Sequence, residues 1–151
     1  MISEGCEQCA KGGKMVMFVY GYCDQRDCFY CPLGENRKNV TDVYANERQV
    51  ETDEDVLEEA HRMDALGTSI TGGEPQEALE RTCHYLELLK DEFGEDHHTH
   101  LYTGIPGGRE NMRKLSEPAS TKFGSTRPSS SGATSMAPSG RRFCTSLARK
   151  A

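Results

Sequence analysis

At 151 residues, 35% hydrophobic and 28% charged, with a formal net charge of −6, the chain is sized for one ordinary domain, and its acidity argues against general nucleic-acid binding. No stretch approaches the ~20 consecutive apolar residues that span a bilayer, and the polar start from Met1 to Gly13 has no secretory pattern. Seven cysteines without such a signal point to a reducing cytoplasm, where clustered thiols are more often metal ligands than disulfides.

Gly5 to Lys14 is a lead-in rich in Gly, Lys and Cys. Met15 to Tyr20 is a continuous apolar run with aromatic and β-branched members, the pattern of a strand buried on both faces. Gly21 to Asn39 reads as a cysteine-bearing loop, with a short strand expected at Val43 to Ala45. Thr52 or Asp53 caps a helix reaching about Leu66, with acids in its first turn and Gly67 as its stop. A strand follows at Thr68 to Thr71. A second helix runs from Pro75 or Gln76 to about Phe93, a third strand covers Thr99 to Thr103, and a helix covers Arg109 to Glu117. Alternation of this kind predicts an α/β fold with parallel strands and helical crossovers.

The pattern stops at Glu117. All 24 acidic residues lie before Pro118, whereas residues 118–151 carry six Lys and Arg and no acid. This divides the chain into residues 1–117 and a tail, 118–151, that reads as disordered. A shifted reading frame accounts for the break. Codons exist for Pro118 to Arg127 that, read one frame over, encode Gly-Leu-Asp-Glu-Val-Arg-Phe-His-Pro, a turn and then a strand.

Chemistry concentrates in two places. Cys23, Cys28 and Cys31 read C-x4-C-x2-C directly after the first strand. Three clustered thiolates can hold three irons of a 4Fe-4S cluster and leave the fourth open to a ligand. Gly72, Gly73, Glu74 and Pro75 close the second strand. Cys6 and Cys9, taken with Cys28 and Cys31, have zinc-ribbon spacing, so a structural zinc module is the rival reading. Cys83 falls on an apolar helix stripe and reads as core. His97, His98 and His100 enter the third strand at its far end and read as surface histidines.

The triplet with Tyr30 before its last cysteine, followed by Gly-Gly-Glu-Pro at the next main strand, resembles radical S-adenosylmethionine (radical SAM) enzymes. The Gly-Cys-x-x-Cys lead-in and the segment Cys28 to Leu33 resemble archaeal proteins related to pyruvate formate-lyase activating enzymes. The resemblance covers about Gly5 to Glu117. It implies the N-terminal part of a partial (βα)6 TIM-like barrel. It also implies a 4Fe-4S cluster on Cys23, Cys28 and Cys31, with S-adenosylmethionine beside Gly72, Gly73, Glu74 and Tyr30. The implied chemistry is a 5′-deoxyadenosyl radical that abstracts hydrogen from a substrate. The implied partners are a protein substrate and an electron donor such as ferredoxin or flavodoxin, with no membrane or nucleic acid. Half a barrel leaves edge strands and apolar faces bare, which predicts poor solubility or a molten state, with doubtful activity, for the isolated chain.

Overall fold

The structure, a computed structural model, describes residues 4–24, 28–105, 108–116, 122–125 and 145–146. In chain order the elements are α1 (Glu4–Ala10), β1 (Lys14–Phe18), the hairpin β2 (Val43–Ala45) and β3 (Arg48–Val50), α2 (Asp53–Arg62), β4 (Gly67–Thr71), a 3-10 turn at Pro75–Ala78 leading into α3 (Leu79–Phe93), β5 (His98–Thr103), α4 (Arg109–Ser116), β6 (Lys122–Ser125) and β7 (Thr145–Ser146). They build one seven-stranded sheet in the order β3-β2-β1-β4-β5-β6-β7. Strands β1, β4, β5 and β6 are parallel neighbours in chain order, paired for instance as Met17 with Ile70 and Ile70 with Leu101. The outer pairings, β1 with β2, β2 with β3 and β6 with β7, are antiparallel.

Side chains alternate across a strand, and the two faces of this sheet have different partners. Met15 and Met17 of β1, Ile70 of β4 and Leu101 of β5 form one core with Val56 and Ala60 of α2, Leu86 and Leu89 of α3, and Leu115 of α4. The three crossover helices therefore lie on the same face. The other face is covered at the N-terminal ends of the strands by α1, where Gly5 packs against the rings of His98 and His100. Val16 points to this second face and is 43% exposed, but Lys14 and Phe18 on the same side are buried, so β1 is covered on both faces except at Val16.

The end of the helix after Thr52 and the exposure of the histidines differ from expectation, and the lead-in gains a structure. The helix after Thr52 stops at Arg62, because Asp64 takes a φ of 50° and the Ala65 N–H returns to the Ala60 carbonyl at 3.0 Å. Gly67, expected as the stop, is instead the first residue of β4. The lead-in is helical, since Glu4, Glu7, Gln8 and Ala10 favour a helix and Gly12, at φ 73°, ends it. His97, His98 and His100 are at most 5% exposed rather than on the surface. His97 stacks on Phe93 at 4.8 Å and meets the Thr68 hydroxyl at 2.9 Å, while α1 roofs the other two. The hairpin partner β3 went unforeseen, and its signal is Asn46, whose φ of 53° makes the turn between Ala45 and Arg48. Of the tail, only the backbone strands β6 and β7 belong to the described residues; the disorder expected there otherwise lies outside them.

Candidate cluster and cofactor site

The parallel strands β1 and β4 end side by side, with Phe18 paired to Thr71. The chain leaving β1 toward the cysteines runs directly over the chain leaving β4. The Gly73 N–H donates to the Tyr20 carbonyl at 2.6 Å, and the Glu74 N–H donates to the Tyr22 carbonyl at 2.8 Å. This contact is close enough to require glycine. A Cβ on Gly72 would stand 2.4 Å from the Tyr20 oxygen, and one on Gly73 would stand 2.0 Å from the Tyr22 oxygen. One residue beyond Cys23, the Asp24 N–H donates to Oε1 of Glu77 at 2.7 Å. Cys23 is thus anchored on both sides against the Gly-Gly-Glu-Pro segment and the turn it opens.

Glu74 is fully buried and turned inward. Its Oε1 accepts from the Gln76 N–H at 3.1 Å and from the Thr103 hydroxyl at 2.7 Å, and its Oε2 accepts from the Gly104 N–H at 2.8 Å. Gln76 Nε2 donates to the Thr103 hydroxyl at 2.7 Å and to the Ile105 carbonyl at 3.2 Å. The side chain thereby ties the ends of β4 and β5 together, and the surface it leaves toward the cysteine loop is backbone. Gln76 went unnoticed in the sequence as a site residue, although its place two residues after Glu74 was the available signal.

The three cysteines come from one loop. Cys23 is half-buried, while Cys28 and Cys31 are exposed and share a turn in which the Cys31 N–H donates to the Cys28 carbonyl at 2.9 Å. Residues 25–27 lie outside the described residues, and among those described no three His, Cys, Asp or Glu side chains converge on a metal position. The donor set suits a cluster in number and chemistry. The loop must draw Cys28 and Cys31 toward the anchored Cys23 to hold one. Tyr30 is half-buried on the same turn, with Phe29 edge-on at 5.2 Å and itself 92% exposed. A cleft of about 510 Å³ opens beside the loop on the second face of the sheet, lined by Val16, Phe18, Thr71, Pro32, Leu33 and Arg37. A larger cleft of about 700 Å³ opens on the helical side and is lined by Cys83 rather than by the cluster cysteines. Cys83 is half-buried, with its thiol 3.8 Å from the Lys114 carbonyl.

The structure gives the zinc-ribbon reading no support. Cys6 and Cys9 ride on α1 at the N-terminal ends of the strands, whereas Cys28 and Cys31 follow the C-terminal end of β1, and among the described residues these four are not grouped as metal ligands.

No helix among the described residues is long and apolar enough to cross a membrane. No family profile and no solved structure matches the chain. A curated protein of Methanocaldococcus jannaschii, provisionally named a glycyl-radical enzyme activating enzyme, is 47% identical to it over 117 residues, which is 77% of this chain and 31% of the relative. The chain therefore spans about a third of the length of that relative. With identity at that level over three-quarters of its residues, and with the base of the cysteine loop at Tyr20 and Tyr22 laid against Gly-Gly-Glu-Pro, the chain belongs to the radical SAM family of that relative.

Proposed function

We propose that this chain is the cluster- and cofactor-holding part of a cytoplasmic radical SAM activating enzyme, with Cys23, Cys28 and Cys31 as ligands of a 4Fe-4S cluster. The observation that carries the reading is the pair of hydrogen bonds from Gly73 and Glu74 to Tyr20 and Tyr22, which lays Gly-Gly-Glu-Pro against the base of the cysteine loop. Held by Cys23, Cys28 and Cys31, the cluster would supply the electron for reductive cleavage of the S-adenosylmethionine sulfonium, the chemistry that yields a 5′-deoxyadenosyl radical.

The chain's own residues hold and orient. Gly72 and Gly73 expose backbone without a side chain, and strand-end carbonyls accept hydrogen bonds from an ammonium such as the methionine amino group. Glu74 acts from below by keeping that backbone in place through Thr103 and Gly104. Tyr30 would lie beside the cofactor from the loop itself, and the cleft walled by Pro32 and Leu33 of the same loop opens next to it. Sites at the C-terminal ends of parallel strands are the rule for such folds.

The sheet is the first half of a partial (βα)6 barrel on this reading. Strands in chain order with every crossover helix on one face support it, since a doubly wound sheet reverses strand order and places helices on both faces. By its relative, the substrate is a partner protein activated through a glycyl radical. A ferredoxin- or flavodoxin-type donor supplies the electron.

Anaerobic reconstitution with iron and sulfide tests the proposal. The expected result is a reducible 4Fe-4S electron paramagnetic resonance signal that changes on adding S-adenosylmethionine. It is lost in each of Cys23→Ser, Cys28→Ser and Cys31→Ser and kept in Cys83→Ser. A reconstituted chain with no cluster, or with a cluster indifferent to S-adenosylmethionine, would overturn it.

A further inference from the structure

Cys6 and Cys9 stand apart from the proposed cluster site and have no part in it. They occupy positions i and i+3 of α1, and both are exposed. Side chains at that spacing are surface neighbours with Cβ atoms ~5–6 Å apart. A disulfide needs ~3.5–4.5 Å, so joining the pair requires the single turn between them to tighten.

The helix beneath the pair is held in place. Gly5 is buried against the β5 histidines, so tightly that a Cβ there would stand 2.8 Å from Nδ1 of His100. Glu4 pairs with His98 at 3.4 Å. At the other end the Gly12 N–H donates to the Cys9 carbonyl and the Gly13 N–H to the Gln8 carbonyl, both at 3.0 Å. Lys14 Nζ reaches Oε1 of Gln8 at 3.4 Å. Two exposed thiols are therefore fixed side by side on a docked helix, with β1 between them and the cluster loop.

Two chemistries suit such a pair: binding a soft metal ion, or cycling between dithiol and disulfide. A closed metal site needs further ligands, and among the described residues no third His, Cys, Asp or Glu joins the two sulfurs in a metal-holding group. Disulfide chemistry needs only the two, and C-x-x-C beside a βαβ unit is a known redox arrangement.

We propose that Cys6 and Cys9 form a dithiol site for exchange with small-molecule disulfides. One thiol, as its thiolate, attacks a sulfur of the incoming disulfide, whose S–S bond breaks as a mixed disulfide forms and one thiol leaves. The second cysteine attacks the mixed disulfide and releases the other thiol. The balance is one Cys6–Cys9 disulfide formed, one external disulfide broken, and two electrons and two protons passed to it.

The test equilibrates the full chain in graded mixtures of reduced and oxidised glutathione, quenches it with acid, alkylates the remaining thiols and maps the peptides by mass spectrometry. The expected result is a joint loss of Cys6 and Cys9 alkylation in one two-electron step, with a Cys6–Cys9 linked peptide, while Cys83 stays alkylated. Cys6→Ser, shown folded by circular dichroism, should trap Cys9 as a glutathione mixed disulfide. The proposal fails if both cysteines alkylate fully across the whole range, or if they link instead to Cys23, Cys28 or Cys31. It also fails if zinc ion protects both thiols from alkylation while glutathione disulfide leaves them reduced.

Discussion

The carboxylate of Glu74 accepts a hydrogen bond from the Gly104 backbone at 2.8 Å, joining the end of β4 to the end of β5 across thirty residues of sequence. The Thr103 hydroxyl donates to the same carboxylate at 2.7 Å and accepts from Gln76. Removing one member of such a buried network leaves the others unsatisfied, at ~1–3 kcal/mol. Thr103→Val should therefore destabilise the chain by about that much in urea titration. It should also weaken the response of the reconstituted cluster to S-adenosylmethionine, because the Gly-Gly-Glu-Pro backbone loses its support. An unchanged unfolding midpoint would remove Glu74 from this structural role.

Gly73→Ala and Gly108→Ala should behave oppositely. A Cβ at Gly73 would collide with the Tyr22 carbonyl, whereas one at Gly108 meets nothing within 4 Å. Gly73→Ala should separate β1 from β4 at their C-terminal ends and abolish the cofactor-dependent change in the cluster spectrum. Gly108→Ala should leave that spectrum intact and change stability by less than ~1 kcal/mol, since the entropy gained through the unfolded chain is offset by losing glycine at the N-cap of α4. Equal spectra from the two variants would count against the close approach as the reason for glycine.

His97 sets an acid limit on stability. Burial is the largest cause, with the positive charges of Lys90 and Lys14 adding to it, and together they lower its pKa from 6.5 to about 4. The folded state favours the neutral ring, so the unfolded chain takes up the proton first as pH falls. The contribution from His97 is complete above about pH 6.5 and is lost progressively toward about pH 4. His97→Gln should flatten the dependence of the unfolding midpoint on pH across that window, which denaturant titrations at several pH values would show.

The core between the sheet and its crossover helices predicts a cooperative transition. Leu86 is fully buried among β-strand side chains, so Leu86→Ala should cost ~2–5 kcal/mol. Val16, on the partly open second face, should tolerate Val16→Thr at a cost of about 1 kcal/mol or less. Because α1 covers part of that second face, a sharp unfolding transition is expected in place of the molten state that half a barrel suggests. Equal costs for the two substitutions would mean that the helical face is not packed as described.

The βα alternation was legible from periodicity alone. The apolar run at Met15, the stripe through Leu79, Leu86 and Leu89, and the acidic cap at Thr52 are local signals, and each lies in the expected element. The cysteine triplet and Gly-Gly-Glu-Pro were legible in the same way, because their chemistry depends on spacing within a few residues. Only the tertiary structure decided that Glu74 turns inward, that His98 and His100 lie beneath a helix, and that Cys6 and Cys9 sit at the opposite end of β1 from Cys28 and Cys31. The reason is physical. A side chain's periodicity reports which face of its own element it occupies, whereas its burial and partners depend on segments brought against that face from far along the chain, here α1 against β5 and β4 against the exit of β1.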